Sequence, residues 1–202
     1  DDQLNFFLLM EDVSDYRLGN QVTGATLEEA QICITELAKL HASFWNQVDD
    51  IDWLPNMSGS DNARNMALGA EAGWPQLREL FGDWLPESID SLREQYLAKI
   101  PSLQEQLDQP PRTLIHGDFR MDNMLFGQRE DQHPLLIVDF QGPLKGNGIY
   151  DFAYLMSHSV QASVRREHEK ALVQLYCDVL HKSGVEGYSF EKAWADYRLG
   201  VL

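Results

Sequence analysis

The sequence has 202 residues, 44% of them hydrophobic and 24% charged, so it can bury a core and is long enough for one large domain. Its 32 acidic and 16 basic residues give a net charge of −16. This charge argues against nucleic acid or an anionic membrane as a partner, because both attract Lys and Arg. A cationic substrate would suit it, although a solubilising acidic surface is the simpler interpretation.

The first elements in chain order are a strand, a connector and a helix. An apolar run at 4–10 is typical of a strand, and the polar stretch 11–24 is typical of a connector. Thr26 and Glu29 have the spacing of a capping box. Apolar residues then recur every three or four positions, which predicts a helix to about residue 47.

The next region predicts a loop followed by helical pieces. Residues 48–70 are rich in Asp, Asn, Gly and Ser, which favours a loop with at most short helices. Helical spacing returns at 74–108, where it is interrupted by Pro75, Pro86 and Pro101.

The character of the sequence changes at residue 112. Three short apolar runs predict strands at 113–115, 124–126 and 135–138, and the last two are joined by a polar, hairpin-like turn. Everything beyond residue 149 carries helical spacing, and the predicted helices are about 150–160, 163–183 and 189–202.

Two cysteines and the ends of the sequence complete the general description. Cys33 and Cys177 are far apart, which predicts neither a zinc site nor a disulfide framework and favours a cytoplasmic protein. No apolar run approaches the roughly 20 residues that a membrane span needs. The sequence begins and ends within regular patterns, so we expect a piece of a longer chain, truncated at both ends.

The residues that indicate chemistry surround the predicted hairpin. Asp118 follows one strand, Asn123 opens the next, and Asp139 follows the last. Because a hairpin brings its two outer ends together, Asn123 and Asp139 should be adjacent, with Asp118 on the same loop. Two carboxylates and an amide oxygen are hard ligands that suit Mg²⁺ bound together with substrate phosphates.

The motif resembles the catalytic and metal-binding loops of the protein-kinase superfamily, which read H-x-D-x-x-x-x-N and then D-F. HGD in place of HRD is similar to the branch of aminoglycoside phosphotransferases and choline kinases. The blocks HGDFRMDNMLF, IVDFQ and GNGIYDFAYL, with LLMEDV and ITELAKLHASFW before them, resemble the ecdysteroid-kinase-like group of that branch. The resemblance covers about residues 6–160.

The resemblance implies an α+β fold, namely the mainly helical C-terminal lobe of a protein-kinase-like structure with a short catalytic β-hairpin. Nothing in this sequence matches the glycine-rich loop of the N-terminal ATP lobe, which we therefore expect to be essentially absent from it. Residues 1–14 would be the end of the small lobe and the hinge, and 15–202 the helical catalytic lobe. Within that lobe, 46–110 would be a substrate-recognition insert and 113–151 would hold the catalytic and metal loops.

The resemblance also implies the roles of the central polar residues and the use of ATP and Mg²⁺. Asp118 matches the catalytic base, which orients the attacking hydroxyl group and accepts its proton. Asn123 and Asp139 match the Mg²⁺ ligands that bridge the phosphates of ATP.

Nucleotide contacts follow from the same resemblance. The Glu11 carbonyl and the Val13 N–H match main-chain groups that bind adenine, and Leu125 and Val138 match the apolar floor beneath the base. An ordinary core position is the alternative interpretation of these two side chains, and the two interpretations are compatible.

Three further residues match structural supports of the site. His116 braces the catalytic loop in related proteins, and Asp151 accepts hydrogen bonds from that loop. His41 belongs to the same network or is a simple core histidine. Nothing in the match gives Asp122 a role.

The sequence therefore predicts a phosphotransferase that moves the γ-phosphate of ATP to a hydroxyl group of a small molecule. A non-catalytic nucleotide-binding or interaction domain is the alternative, but the presence of the catalytic Asp and both metal ligands favours the enzyme. A protein kinase is disfavoured by HGD and by the long insert, and a metal-dependent hydrolase by the scarcity of histidine near the motif. The tryptophans and carboxylates of the insert favour a cationic or amphipathic alcohol as acceptor, although the tryptophans could equally pack the helices.

Overall fold

The computed structural model describes residues 7, 9–86 and 88–201. Over that range the chain forms six α-helices, α1 (Leu27–Ser43), α2 (Ser60–Phe81), α3 (Ile89–Leu107), α4 (Ile149–His158), α5 (Ala162–Lys182) and α6 (Phe190–Gly200). The strands are short and are β1 (Arg17–Leu18), β2 (Thr113–Ile115), β3 (Met124–Phe126), β4 (Leu135–Ile137) and β5 (Leu144–Gly146).

The predicted capping box begins α1. The Thr26 hydroxyl accepts a hydrogen bond from the Glu29 N–H at 3.2 Å, and the Glu29 carboxylate accepts one from the Thr26 N–H at 2.9 Å. The helix is confirmed but ends at Ser43, four residues earlier than predicted. Asn46 has a φ of 54° in the left-handed region, so the chain turns away there.

The core lies between α1, α4, α5 and α6, with α1 packed on α5 and α4 packed on α6. One face of α1 is buried along its whole length, at Ala30, Cys33, Ile34, Leu37, Ala38 and His41. The two cysteines are unpaired and buried. Burial raises the pKa of the Cys177 thiol to about 11, so this thiol stays protonated and packs as a small apolar side chain.

The strands form two small antiparallel sheets. One has the order β1-β3-β4 and contains the predicted hairpin, in which Leu125 pairs with Leu136. The other joins β2 to β5. The three strands predicted beyond residue 112 are confirmed. Two strands were not predicted: β1 lies within the polar stretch predicted to be a connector, and the Leu-Lys-Gly of β5 carries no strand pattern.

The helices α2 and α3 lie between α1 and the first strand of the catalytic region. The loop prediction for 48–70 is wrong in its second half, since α2 begins at Ser60. Gly69 and Gly73 each cost about 1 kcal/mol relative to Ala in a helix, and they concealed the helical pattern. Pro75 and Pro101, which were expected to interrupt helices, lie inside α2 and α3.

The remaining predictions concern the two ends. The helices predicted beyond residue 149 are confirmed to within two residues at each end. The strand predicted at 4–10 falls largely outside the described residues, and its described members Phe7, Leu9 and Met10 are not in a strand. Within the described part of the chain, no helix combines the length and the apolar character that crossing a membrane requires.

Candidate active site

The hairpin β3–β4 places Asn123 beside Val138, whose N–H donates to the Asn123 carbonyl at 3.1 Å. Asp139 is the next residue along the chain. Asp118 is tied to Asn123 by the Asn123 side-chain amide, which donates to the Asp118 carbonyl at 2.9 Å and to its carboxylate at 3.0 Å. The structure therefore brings Asp118 and Asn123 into contact, with Asp139 at the same end of the hairpin.

The orientation of the Asn123 amide follows from its partners. Both neighbours are acceptor oxygens, so the NH₂ group must face Asp118. The side-chain oxygen Oδ1 then points elsewhere, and no donor among the described residues reaches it. Asn123 is 95% buried, and both its main-chain carbonyl and its side-chain NH₂ group are hydrogen-bonded. Its Oδ1 is therefore a fixed oxygen that a cation could bind.

Asp139 has an unusual backbone conformation. Its φ of 68° lies in the left-handed region, which Asp and Asn tolerate better than most residues. Its carboxylate is exposed, with the Gln141 amide 3.5 Å away. The turn that begins here therefore leaves a carboxylate free at the end of β4.

The Asp118 carboxylate is partly buried, and the side chains of Arg120 and Asn123 donate hydrogen bonds to it. The Arg120 Nε donates to Oδ2 at 2.9 Å, and Asn123 donates to the same oxygen. Burial raises the pKa of Asp118, but the hydrogen bonds from Arg120, Asn123 and Tyr154 outweigh that effect and hold the pKa below its ordinary value. Asp118 is therefore ionised at neutral pH.

His116 makes two main-chain hydrogen bonds. Its Nδ1 accepts from the Asp118 N–H at 3.2 Å, and its Nε2 lies 2.9 Å from the Val138 carbonyl. These partners require a neutral ring with the proton on Nε2. Both nitrogens are occupied, so His116 joins the catalytic loop to the end of the hairpin and has no nitrogen left to act as a base.

Asp151 is fully buried and accepts three hydrogen bonds. Two come from the main-chain N–H groups of His116, at 2.7 Å, and Gly117, at 3.0 Å. The third comes from His41 Nε2 at 3.3 Å, and His41 Nδ1 lies 2.7 Å from the Tyr176 hydroxyl. Burial raises the pKa of Tyr176, so its hydroxyl keeps its proton and donates to His41. The predicted supports thus lie in one chain of contacts from α5 to the catalytic loop.

Two glycines allow the close approaches in this region. Gly117 has a φ of 87°, and a Cβ placed on it would lie 2.5 Å from the Gly142 carbonyl oxygen. A Cβ on Gly148 would lie 2.5 Å from His41 Nδ1. Any larger residue at either position would displace the loop or the histidine.

The predicted nucleotide contacts lie on a different face. Leu125 and Val138 are half-buried and, by the strand register, share one face of the three-stranded sheet with Leu18. Within the described part of the chain, the Glu11 carbonyl and the Val13 N–H have no hydrogen-bond partner. The two main-chain groups, which precede β1, are therefore available to bind a ligand. Leu125 and Val138 lie on an apolar face of the sheet that follows.

A cleft of about 680 Å³ opens beside the catalytic loop. Gly117 forms one part of its wall, and the chain just after Asp139 forms another. The chain between α1 and α3 contributes Trp53 and Met66, α3 contributes Gln104, and α4 contributes Tyr150. The predicted insert therefore lines a cavity next to Asp118, whereas Trp74 and Trp84 lie elsewhere.

Comparison with known families identifies the chain. Residues 1–185 match the family model described as "Ecdysteroid kinase-like family". The chain belongs to the ecdysteroid kinase-like family. The resemblance to the ecdysteroid-kinase-like group inferred from the sequence is thus confirmed, and the structure has the expected α+β class, with mainly helical elements and a short β-hairpin.

Individual relatives of this ecdysteroid kinase-like chain are distant. A segment is 31% identical to acyl-CoA dehydrogenase family member 10 of Mus musculus, covering 36% of this chain and 8% of that protein. A crystal structure of an aminoglycoside-3′-phosphotransferase of type VIII matches 92% of this chain and 65% of its own, with 19% identity and a TM-score of 0.49. A mutant aminoglycoside 2′-phosphotransferase in complex with GDP matches 92% of this chain and 57% of its own, with 18% identity and a TM-score of 0.46. The chain spans less than two thirds of each of these proteins.

The structure adds residues that the sequence analysis of this ecdysteroid kinase-like chain missed. Arg120 Nη1 donates to Gln21 at 3.1 Å and to Asp122 at 3.1 Å, and Asp122 accepts from the Gln21 N–H at 2.9 Å. Asp122, which had no predicted role, therefore anchors the arginine that binds Asp118. The available signal for the contact between Arg120 and Asp118 was an Arg two positions after that Asp. Nothing in the sequence indicated Tyr154.

Proposed function

We propose that this ecdysteroid kinase-like protein transfers the γ-phosphoryl group of ATP to a hydroxyl group of a small molecule. One observation carries the proposal: Asp118, Asn123 and Asp139 gather at one end of a hairpin, beside an open cleft. The alternative, a non-catalytic nucleotide-binding domain, is disfavoured because an ionised carboxylate, a fixed amide oxygen and an exposed carboxylate are all in place. A domain that only binds nucleotide has no need of the ionised carboxylate of Asp118.

Asp118 would act on the acceptor molecule. Its ionised carboxylate orients the hydroxyl group and takes its proton as the oxygen attacks the γ-phosphorus, and the bond from that phosphorus to ADP breaks. Arg120 and Asn123 both hold Oδ2, so the direction of the carboxylate is fixed before the acceptor arrives. A carboxylate of low pKa is a weak base, so positioning is its larger contribution.

Asn123 and Asp139 would hold Mg²⁺. The fixed Oδ1 of Asn123 and the exposed Asp139 carboxylate are the hard oxygen donors that Mg²⁺ prefers, and phosphate oxygens and water commonly complete such sites. No group of three or more His, Cys, Asp or Glu side chains in the described residues is arranged to hold a metal ion, so the proposed site rests on Asn123 and Asp139 alone. When bound, the ion would neutralise charge on the phosphates.

The remaining predicted residues would serve the nucleotide or the loop. We propose that the Glu11 carbonyl and the Val13 N–H bind adenine, above an apolar floor made by Leu125 and Val138. His116, Asp151 and His41 would keep the catalytic loop in place. The buried contacts of these three residues, described above, support this assignment.

We propose an uncharged acceptor rather than the cationic one that the insert's carboxylates predicted. The insert's tryptophans and carboxylates favoured a cationic or an amphipathic alcohol, and an uncharged acceptor keeps only the second. Several of those carboxylates pair with arginines: Asp49 with Arg112 at 2.7 Å, and Asp90 with Arg78 at 3.4 Å. None of the described residues that line the cleft is acidic, and most are apolar or aromatic. The family description makes ecdysteroids, which are neutral polyhydroxylated molecules, the first class to test.

The test is ADP release by the full-length protein with Mg²⁺-ATP and a panel of ecdysone, choline and kanamycin. Asp118→Asn should lower turnover of every accepted compound by about 10²–10⁴-fold while ATP affinity is kept. Asp131→Asn, an exposed carboxylate in the turn of the hairpin, is the control and should be unchanged. Turnover by Asp118→Asn equal to that of the unmodified protein would refute the proposal.

A further inference from the structure

Gln104 is a buried polar residue in the wall of the cleft. It lies on α3 between the apolar residues Ile100 and Leu107 and is only 6% exposed. It lines both the cleft of about 680 Å³ and a neighbouring groove of about 260 Å³. Tyr150 and Met66 also line both cavities, so these three side chains form the wall between them.

The hydrogen bonds of the Gln104 amide are incomplete. Its Nε2 contacts the Met66 sulfur, which is a weak acceptor. Its Oε1 is buried and has no hydrogen-bond partner among the described residues. Rotating the amide by 180° would exchange the two atoms and leave the NH₂ group without an acceptor instead. In either orientation, one side of the amide has an unmet hydrogen bond.

An unmet hydrogen bond at a buried amide destabilises the fold, and it calls for an explanation. A leucine or methionine would fill the same space without that cost. The group that covers the amide is able to move, since Met66 is an unbranched side chain that is 40% exposed. Met66 also lies on α2, and none of the described side chains of that helix is buried. Displacement of Met66 would open the amide to the cleft.

We infer that Gln104 is a specificity-determining residue of the acceptor site, whose side-chain amide hydrogen-bonds an uncharged polar group of the acceptor once Met66 has moved aside. The inference rests on the proposed function, because it takes the cleft beside Asp118 as the acceptor site. A hydroxyl, carbonyl or amide group fits, since an amide offers both a donor and an acceptor but no charge. A cationic group would lie among apolar side chains with no described carboxylate on the lining.

The test compares Gln104→Met and Gln104→Leu with Gln106→Leu, an exposed glutamine on the same helix. The full-length protein is assayed with the panel compound that has the highest kcat/KM. Both Gln104 variants should lower acceptor kcat/KM by about tenfold or more, with ATP KM unchanged within about twofold. Gln106→Leu should change neither constant.

The thermal midpoint of each variant is measured as well. Because Gln104→Met removes an unmet hydrogen bond, its midpoint should equal or exceed that of the unmodified protein. A marked fall would show that the amide is satisfied inside the fold, for instance by a buried water, and would overturn the inference even if no panel compound were accepted.

The kinetic outcomes separate the two proposals. If Gln104→Met leaves acceptor kcat/KM unchanged while Asp118→Asn is inactive, the inference about Gln104 is wrong. The proposed phosphotransferase function is then still supported. Full activity of Asp118→Asn would remove both.

Discussion

The catalytic segment 113–151 and the insert 46–110 are held in place in different ways. In the catalytic segment, polar groups are buried and hydrogen-bonded: His116 and Asp151 are fully buried, and every polar side-chain atom of both has a partner. In the insert, α2 has no buried side chain among those described, and large apolar residues such as Trp84 and Leu80 are exposed. The two regions meet at the cleft.

Under the proposed function, this difference would separate the chemistry from the choice of acceptor. The catalytic loop is fixed by contacts that reach α1, α4 and α5, so small changes near it are costly. The insert is tied to the first catalytic strand chiefly at its base, where Arg112 contacts Asp49 at 2.7 Å and Asp108 at 3.2 Å. It is also hydrogen-bonded to β5 through Pro55 and Met57, whereas α2 has no buried side chain among those described.

After Asp118→Asn, the largest effect is expected from Asp139, the proposed metal ligand at the end of the hairpin. Asp139→Ala should lower kcat/KM by about 10²–10³-fold and reduce the Mg²⁺ dependence of ATP binding, because it removes a hard ligand. Isothermal calorimetry with and without Mg²⁺ measures this, and Asp131→Ala in the turn of the same hairpin is the control. If ATP binding by Asp139→Ala kept its full Mg²⁺ dependence, the ligand role would be wrong.

A large loss of stability is expected when the buried carboxylate of Asp151, in the catalytic segment, is removed. Asp151→Ala leaves two main-chain N–H groups and one side-chain N–H without an acceptor, and should lower the free energy of unfolding by about 2–4 kcal/mol. Urea denaturation measures it, with Asp178→Ala, an exposed Asp on α5, as the matched control. A loss no greater than that of the control would mean that Asp151 does not hold the loop.

A moderate effect is expected on the pH profile. Arg120 helps to hold the pKa of Asp118 below its ordinary value, so Arg120→Met should let that pKa rise. Because Asp118 must be ionised to act, the acid limb of kcat/KM should move to higher pH. Arg129→Met, an exposed arginine in the hairpin turn, should leave the limb in place. An unmoved limb in Arg120→Met would show that another group sets it.

The smallest effect is expected from the insert aromatics. Trp53 lines the cleft and is 73% exposed, whereas Trp84 is 87% exposed and lies away from it. Trp53→Ala should raise acceptor KM by about threefold to tenfold and leave ATP KM unchanged, and Trp84→Ala should change neither. Equal behaviour of the two variants would place the acceptor outside this cleft.

Sequence patterns predicted the catalytic segment better than the insert, for a physical reason. A hairpin is a local structure, so the positions of Asn123 and Asp139 followed from the strands on either side of them. The contact between Arg120 and Gln21 joins residues 99 positions apart, and no local pattern carries it. In the insert, the Asp, Asn, Gly and Ser residues at 48–70 favoured a loop, whereas the structure has a helix from Ser60 onward.

The unmet hydrogen bond of Gln104 lies beyond sequence reasoning as well. A single glutamine at a helix position gives no sign of whether its amide has a partner, because that depends on side chains from a different helix. The cleft is a similar case, since its wall joins the insert to the chain beyond Asp139.

The division of roles between the loop around Asp118 and the insert is tested by the ratio of kcat/KM for two accepted compounds. This ratio is measured in Asp118→Asn and in Trp53→Ala. If the catalytic loop supplies the chemistry and the insert selects the acceptor, Asp118→Asn should lower both values by the same factor and leave the ratio unchanged, whereas Trp53→Ala should change the ratio. A ratio altered by Asp118→Asn and unaltered by Trp53→Ala would contradict the account.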